Sequence, residues 1–317
     1  MKLNFLDLVN DVATTGELYL VDMKESSDKR YVTCCLLDGT TQKNANMFNT
    51  SLADIEKLGV EINSVVTVNI TQKSPNAQGI QYVNLQSIYP NKDASVKALN
   101  FAKKSEANPE DMYNEILSKV REAKSEGSLV KIVETVYADN KDMLLNSAAG
   151  KEMHHDYLGG LLEHTLNIIK ACSAICSVYP QLDKEMLVCA AAVHDVGKLI
   201  EFQTNPLGTV EYTAAGQLLG HTMYGVIIVD RAASKCAPYN PERVMLLEHM
   251  LASHHERIEW GAIKNPSTPE ALILASLDNI DAKINMADKL KNQGNVGNVG
   301  ITYCLGFESK KIYIPVF

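Results

Sequence analysis

The chain has 317 residues, a formal charge of −8, 46% hydrophobic and 21% charged residues. This is an ordinary globular composition, with apolar material for one large or two ordinary cores. It excludes a protein that coats nucleic acid through bulk positive charge, but not a local basic groove or a metal that neutralises phosphate. Seven cysteines are odd in number and lack framework spacing. We read them as reduced, partly buried thiols of a cytosolic protein, with Cys172 and Cys176 one turn apart in an apolar helix. The N-terminal MKLNFLDLVNDV has charges inside any apolar core, and no apolar run approaches ~18 residues, so neither a signal peptide nor a membrane span is expected.

Residues 1–90 read as β. Glu17–Met23, Tyr31–Leu37, Gln42–Phe48, Val65–Gln72 and Ile80–Ile88 are short segments rich in β-formers and separated by turn signals. Asp38-Gly39 is a hairpin turn signal. Ser51–Leu58 opens with a Ser cap and reads as a short helix between the third and fourth strands. Five strands with a helix in that place follow the order of an OB-fold barrel, a common single-strand nucleic-acid module. An oligomerisation or scaffold barrel is the alternative. Stacking platforms need exposed aromatics beside basic groups, and Tyr31, Arg30, Lys43 and Phe48 are the candidates. Seven Lys/Arg against ten Asp/Glu leave residues 1–90 at −3, so any such binding is local.

Residues 91–145 are expected to be a helical connector, with helices over Asn91–Ser105 and Pro109–Ser125. Asn108-Pro109-Glu110-Asp111 is a well-formed helix start. From position 150 the text is helical. Leu161–Val178 is an amphipathic helix carrying His164, with Glu163 beside it. Met186–Val193 is apolar on every side and reads as a buried helix. It ends in His194-Asp195, followed by Gly197 and Lys198. A buried carboxylate needs compensation, which a divalent cation would supply; a surface pair at a frayed helix end is the alternative. The remaining histidines decide between them. All eight fall between His154 and His255, and none precedes them, which is a metal-site signal. His221 opens a helix running to Ala233. Pro241–His255 carries His249, His254 and His255. His249 and His254 lie roughly 140° apart around a helix of ~3.6 residues per turn, so His249 is set aside. The helix Thr268–Leu290 carries Asp278 and Asp281 on one face. The tail 291–317 contains two strand-like pieces, Ile301–Leu305 and Lys311–Val316, open to three readings: a hairpin, a cover for the active site or a contact with a neighbouring subunit.

The ordered stations His164, His194-Asp195, His221, His254-His255 and Asp278 resemble the HD superfamily of metal-dependent phosphohydrolases. The strings HHDYLGGLLEHT, HDVGK, GHT, SHHE with Trp260-Gly261, and LDNIDAK, placed after an OB-like barrel, resemble the YhaM-type 3′–5′ exoribonucleases over nearly the whole chain. The expected fold class is therefore β + α: residues 1–90 an OB-like five-stranded barrel, 91–145 a connector, 146–290 an all-α HD helical bundle, and 291–317 a tail. The resemblance implies a metal-dependent phosphodiesterase that removes nucleotides from the 3′ end of RNA or single-stranded DNA, in a soluble, homo-oligomeric cytoplasmic protein. It implies activation by Mn or Co, and the His and carboxylate donors suit two divalent ions drawn from Mn, Co, Fe, Mg or Zn.

Phosphodiester hydrolysis needs hydroxide at neutral pH and charge relief on the phosphoryl oxygens, which two metals ~3.5–4 Å apart supply. His164, His194, Asp195 and Asp278 are assigned to one metal. Asp195 is assigned as the bridge to a second, held by His221 and by His254, His255 or both. Lys198 is assigned to a phosphate oxygen, Glu163 and Asp281 to supporting the ligands, and metal-bound hydroxide to the attack. The rival readings are an HD phosphohydrolase acting on a small or cyclic nucleotide, with the barrel as sensor or oligomeriser, and a non-catalytic factor with a vestigial site.

Overall fold

The computed structural model describes residues 2–76, 81–102, 104–125, 129–150, 157–204, 207, 210–292, 297, 302–304 and 310–315. The chain divides into two compact units, Met1–Lys103 and Lys104–Phe317.

In the first unit, β1 (Ala13–Glu25), β2 (Tyr31–Leu37) and β3 (Gln42–Phe48) are followed by α1 (Leu52–Lys57), β4 (Ser64–Gln72) and β5 (Val83–Pro90). The five strands close in the order β1-β2-β3-β5-β4, every pairing antiparallel except β3 with β5. Alternation sets the two faces. Val32, Cys34 and Leu36 of β2 and Ala45 of β3 point into one apolar core with Leu18, Leu20, Val66, Val68, Ile70, Leu85 and Ile88. The Asp38 carboxylate holds the β2–β3 turn, accepting from the amides of Thr40 (2.8 Å) and Thr41 (2.7 Å). Helix α1 starts in a capping box between Ser51 and Asp54, where orphan amides need acceptors.

The helix expected over Asn91–Ser105 does not form. Among the described residues this stretch holds one short 3-10 turn, Ala98–Phe101. Its polar side chains take the backbone instead: the Asp93 carboxylate accepts from Ser95 N (2.9 Å), and Asn100 Oδ1 accepts from Lys97 N (2.8 Å). Such local bonds compete directly with a helical ladder.

The second unit begins with α2 (Pro109–Glu122), α3 (Val130–Asp139) and α4 (Lys141–Asn146), then α5 (Gly160–Val178) and α6 (Lys184–Val193). A short α7 (Lys198–Glu201), the hairpin β6 (Phe202–Thr204) and β7 (Val210–Tyr212), α8 (Ala214–Lys235), α9 (Pro241–Ser253) and α10 (Pro269–Asn292) follow. Helices α2 and α3 share one core with α5, α6, α8, α9 and α10. Helix α6 is its centre, buried from Glu185 to Val193, which is why its sequence has no polar face. In the tail, β8 (Thr302–Cys304) pairs antiparallel with β9 (Lys310–Ile312). His154, His155 and Asp156 of the first motif lie outside the described residues. Among the described residues no helix is long and apolar enough to cross a membrane.

Candidate metal centre

Helix α6 runs into His194 with the backbone still helical. The turn Asp195-Val196-Gly197, with Gly197 also in the right-handed helical region, then leads into α7. A Cβ on Gly197 would lie 1.9 Å from the His221 carbonyl oxygen and 2.6 Å from Gly225 N, so α8 can rest on this turn only because residue 197 has no side chain. Helix α8 is broken at Gly220 (φ 69°, ψ 164°), a left-handed conformation that suits glycine. His221 therefore begins a new helical run, and Glu201 Oε1 accepts its amide at 3.2 Å.

Five imidazoles meet around Asp195, and each has its Nδ1 committed to an oxygen. Nδ1 of His194 donates to Ala191 O (2.9 Å), of His254 to Leu251 O (2.7 Å), and of His255 to Trp260 O (2.7 Å). A carbonyl can only accept, so these three rings are protonated at Nδ1. His164 Nδ1 meets Asp281 Oδ2 (2.7 Å), and His221 Nδ1 meets Glu201 Oε2 (2.8 Å). While the rings are neutral, this leaves Nε2 of each as the acceptor nitrogen, and these atoms face one another. His164 and His194 face each other at 3.2 Å, His221 and His255 at 2.9 Å. Asp195 divides the group: its Oδ2 lies 3.4 and 3.3 Å from Nε2 of His164 and His194, its Oδ1 3.6 Å from Nε2 of both His221 and His254. Asp278 Oδ1 is 3.2 Å from His164 Nε2.

Lone pairs converging on carboxylates repel unless positive charge lies among them. Asp195 Oδ1 and His254 Nε2 are buried with no hydrogen-bond partner among the described residues, and Asp195 Oδ2 has an ion pair but no aligned hydrogen bond. Leaving such groups unpaired is costly. The donors fall into two sets, His164–His194–Asp278 and Asp195–His221–His254–His255, each with its ligand atoms within 4.8 Å of one another. Imidazole nitrogen with carboxylate oxygen and no thiolate fits a hard or borderline divalent ion, so the residues present fit a metal.

The electrostatics agree. Burial opposes protonation of His164, but Asp195, Asp278 and Asp281 outweigh it and raise its pKa well above the ordinary value. Those carboxylates need either a proton on His164 or a cation beside it. Burial lowers His221 and His254, and burial with His254 beside it brings His255 down to about 4. These three rings stay neutral, as ligands must. Burial works against ionising Asp195 and Asp278, yet Lys198 and His194 for the first, and His164 and His194 for the second, hold both below the usual carboxylate range.

The other candidates are placed as follows. Lys198 is buried, its Nζ 2.7 Å from Asp195 Oδ2, and that charge raises its pKa against the opposing effect of burial. Glu163 Oε2 accepts from Ser105 Oγ at 2.5 Å, and it is Asp281 that orients His164. His249 stands apart, its Nε2 accepting from Ser267 N (3.0 Å). The sequence reading missed Glu201, the acceptor that orients His221. The signal was there, an acid buried two helical turns after His194. In the first unit, Tyr31 and Phe48 pair across β2–β3 with ring centroids 5.5 Å apart, and Phe48 is 52% exposed. Arg30 is exposed beside Tyr31 and pairs with Asp28 (3.2 Å). Lys43 is not with them. It shares the inward parity of Ala45, bonds Gln72 Oε1 (2.8 Å) and lies over the Phe5 ring, because an odd separation along a strand reverses the face.

Residues 161–283 match the HD domain, the domain of metal-dependent phosphohydrolases. The chain is 28% identical over 323 residues to the 3′-5′ exoribonuclease YhaM of Listeria welshimeri, the match covering all of both proteins. The resemblance read from the motifs thus holds, for the HD domain and for the chain as a whole.

Proposed function

We propose that this chain is a metal-dependent 3′–5′ exonuclease acting on RNA or single-stranded DNA. The observation that carries the hydrolase reading is the gathering of five imidazole Nε2 atoms around an Asp195 whose oxygens have no aligned donor among the described residues. His164, His194 and Asp278 would hold one divalent ion, and His221, His254 and His255 a second, with one oxygen of Asp195 toward each. Mn or Co suits this donor set. Bound ions of this kind supply an acidified water and Lewis acidity toward phosphoryl oxygens. The protein's own part is positional. Asp281, Glu201 and the carbonyls of residues 191, 251 and 260 fix the tautomer and angle of each ring, as supporting partners commonly do at metal sites. Lys198 holds positive charge against Asp195, from which it can meet a non-bridging phosphate oxygen.

The direction of attack and the polymeric substrate are supported by the similarity to the Listeria exoribonuclease along the full chain. The strand order of residues 1–90, with α1 between β3 and β4, supports an OB-type nucleic-acid domain, and the Tyr31–Phe48 pair is its stacking surface. Residues 146–290 are the hydrolase and 91–145 its connector. The protein is cytoplasmic and homo-oligomeric in this reading. One observation favours a second reading, hydrolysis of a small or cyclic nucleotide with the barrel as sensor: the −3 balance of residues 1–90 is a weak footprint for a polyanion.

The test is to load the protein with Mn and incubate it with 5′-labelled single- and double-stranded oligomers. A ladder shortening one nucleotide at a time from the 3′ end is expected, with chelator abolishing it and Mn or Co restoring it. Intact oligomers alongside a hydrolysed mononucleotide would establish the second reading instead.

A further inference from the structure

The segment after His255 carries chemistry that the metal centre does not use. Its backbone is pinned: Arg257 N donates to His255 O (2.7 Å), Trp260 N to Arg257 O (3.0 Å), Gly261 N to Ile258 O (3.0 Å) and Ala262 N to Arg257 O (3.1 Å). Glu256 and Gly261 are left-handed, with φ of 65° and 103°. Together they wind Ile258–Trp260 into a 3-10 turn so close to the cluster that a Cβ at 261 would lie 3.2 Å from His255 Nδ1. A left-handed glutamate is strained and persists only where its surroundings impose it. The turn serves His255 through a main-chain atom, the Trp260 carbonyl. Any residue type could supply that carbonyl, so the side chains here are free for another task.

Those side chains are not buried. Trp260, the only tryptophan in the sequence, is 40% exposed and the neighbouring Ile258 62%. The Arg257 guanidinium sits over the Trp260 ring, 4.5 Å from its centroid, with a long 4.0 Å ion pair to Glu256. The indole thus carries a cation over its ring and still shows 40% of its surface to solvent. The location is specific. His255 and Asp278 are the partly exposed members of the two donor sets, the rest being buried, so the cluster reaches solvent in part at the histidine to which this turn is bonded. An aromatic that is 40% exposed, and whose own carbonyl holds the partly exposed histidine of a reactive centre, presents an amphipathic ring beside that centre.

We infer that Trp260, backed by Arg257, is the stacking surface for a nucleobase next to the scissile phosphate. The inference rests on the nuclease reading above and gives that site its base contact. Every base has a π-face, so stacking tolerates any sequence while fixing where the neighbouring phosphate lies. A guanidinium on the far side of the ring adds attraction for the phosphate backbone. This assigns Trp260 and Arg257 to positioning the substrate and leaves the bond-breaking groups as described.

The lone tryptophan makes the test direct. Metal-loaded wild-type protein is titrated with a short oligoadenylate whose 3′-terminal linkages are phosphorothioates, and in parallel with the same oligomer made abasic at its last two positions. Saturation is followed independently by the anisotropy of a 5′ label. Saturating quenching of Trp260 emission by the base-bearing oligomer, and little by the abasic one, is expected. In turnover of an unmodified oligomer, W260A should raise KM about tenfold, the scale of one lost base stack, with kcat changed far less. W260F should recover most of the loss, which a merely structural role for the indole would not predict. No quenching at saturation, equal quenching by both oligomers, or a W260A KM equal to wild type would overturn the assignment. The fluorescence is read on the wild-type chain, so it decides the matter even if W260A misfolds. Quenching without hydrolysis of any oligomer would keep the stacking surface and remove the nuclease reading, and hydrolysis without quenching would do the reverse.

Discussion

Helix α6 carries buried charge at both ends, and the two ends are finished differently. At its start Glu185 is buried, yet Oε1 accepts from Leu129 N (2.9 Å), and Oε2 accepts from Ser125 Oγ and from Arg243 Nη2 (3.1 Å). Arg243 continues to Asp183 Oδ2 (2.7 Å), and Asp183 Oδ1 caps the helix on Met186 N (2.9 Å). At its end Asp195 is as deeply buried, but neither oxygen has an aligned hydrogen-bond donor among the described residues. Burial and charge are the same at both ends, and closure of the hydrogen bonding is what differs. A cluster that satisfies itself holds helices together. A cluster whose lone pairs converge unsatisfied requires a partner from outside the chain.

The strongest way to break this contrast is Asp195→Asn. Asparagine keeps the shape but loses the charge and one anionic oxygen, so the two donor sets lose their shared member. Turnover should drop ~10³-fold or more, the scale of a lost metal contribution of several kcal/mol, with reduced metal content and an intact circular dichroism spectrum. Wild-type turnover at normal metal content would show that Asp195 does not bridge. Glu185→Ala makes the opposite cut. It leaves Arg243 facing Asp183 alone and orphans Leu129 N, so unfolding in urea should show a loss of about 3–5 kcal/mol, while turnover per folded molecule stays near normal. A selective loss of turnover without loss of stability would mean that the clamp belongs to the active site.

Glu201→Ala sharpens the comparison within the centre. It removes only the acceptor that orients His221, and ~10–100-fold in metal affinity is the expected loss, measured by competition with a chelating dye. Unchanged affinity would mean that His221 is not a ligand.

pH separates the two ends without mutation. His221, His254 and His255 have folded pKa values below the unfolded ~6.5, that of His255 at about 4. The unfolded chain therefore takes up protons first as pH falls, and metal-stripped protein should lose melting temperature from ~6.5 down toward about 4. His164, raised by its carboxylates, runs the other way, its stabilisation present below ~6.5 and lost as pH rises through its folded value. Three rings oppose one. Asp183 is lowered, burial being outweighed by Arg243, so its contribution is present above the unfolded carboxylate value of ~3.9 and lost only below it. A melting temperature flat between 6.5 and 4 would refute the account. The smallest effect belongs to His249→Ala, which loses one hydrogen bond to Ser267, worth about 1 kcal/mol, and should leave turnover unchanged. A large fall in turnover would place His249 in the centre after all.

The sequence alone located the strands of the first unit, because alternation and turn residues are local signals, although the fifth runs over Val83–Pro90 where Ile80–Ile88 was expected, Ile80 lying outside the described residues. Tyr31–Leu37 and Gln42–Phe48 coincide with the observed strands residue for residue. It also pointed to which residue types would gather, since eight histidines confined to a third of the chain signal a shared site, and five of them meet there. It misread Asn91–Ser105, whose helical periodicity loses to side-chain bonds onto its own backbone. Tertiary structure alone decided how each ring is held. Glu201 lies twenty residues from His221, Asp281 lies 117 from His164, and the carbonyls at 191, 251 and 260 leave no trace in residue type. It also decided that Lys43 faces inward and that Glu163 turns to Ser105. Donor atoms are properties of residues and can be read in order along the chain. The direction of a lone pair is a property of packing, fixed here by a turn at Gly197 that lets α8 touch α6–α7 and by the break at Gly220.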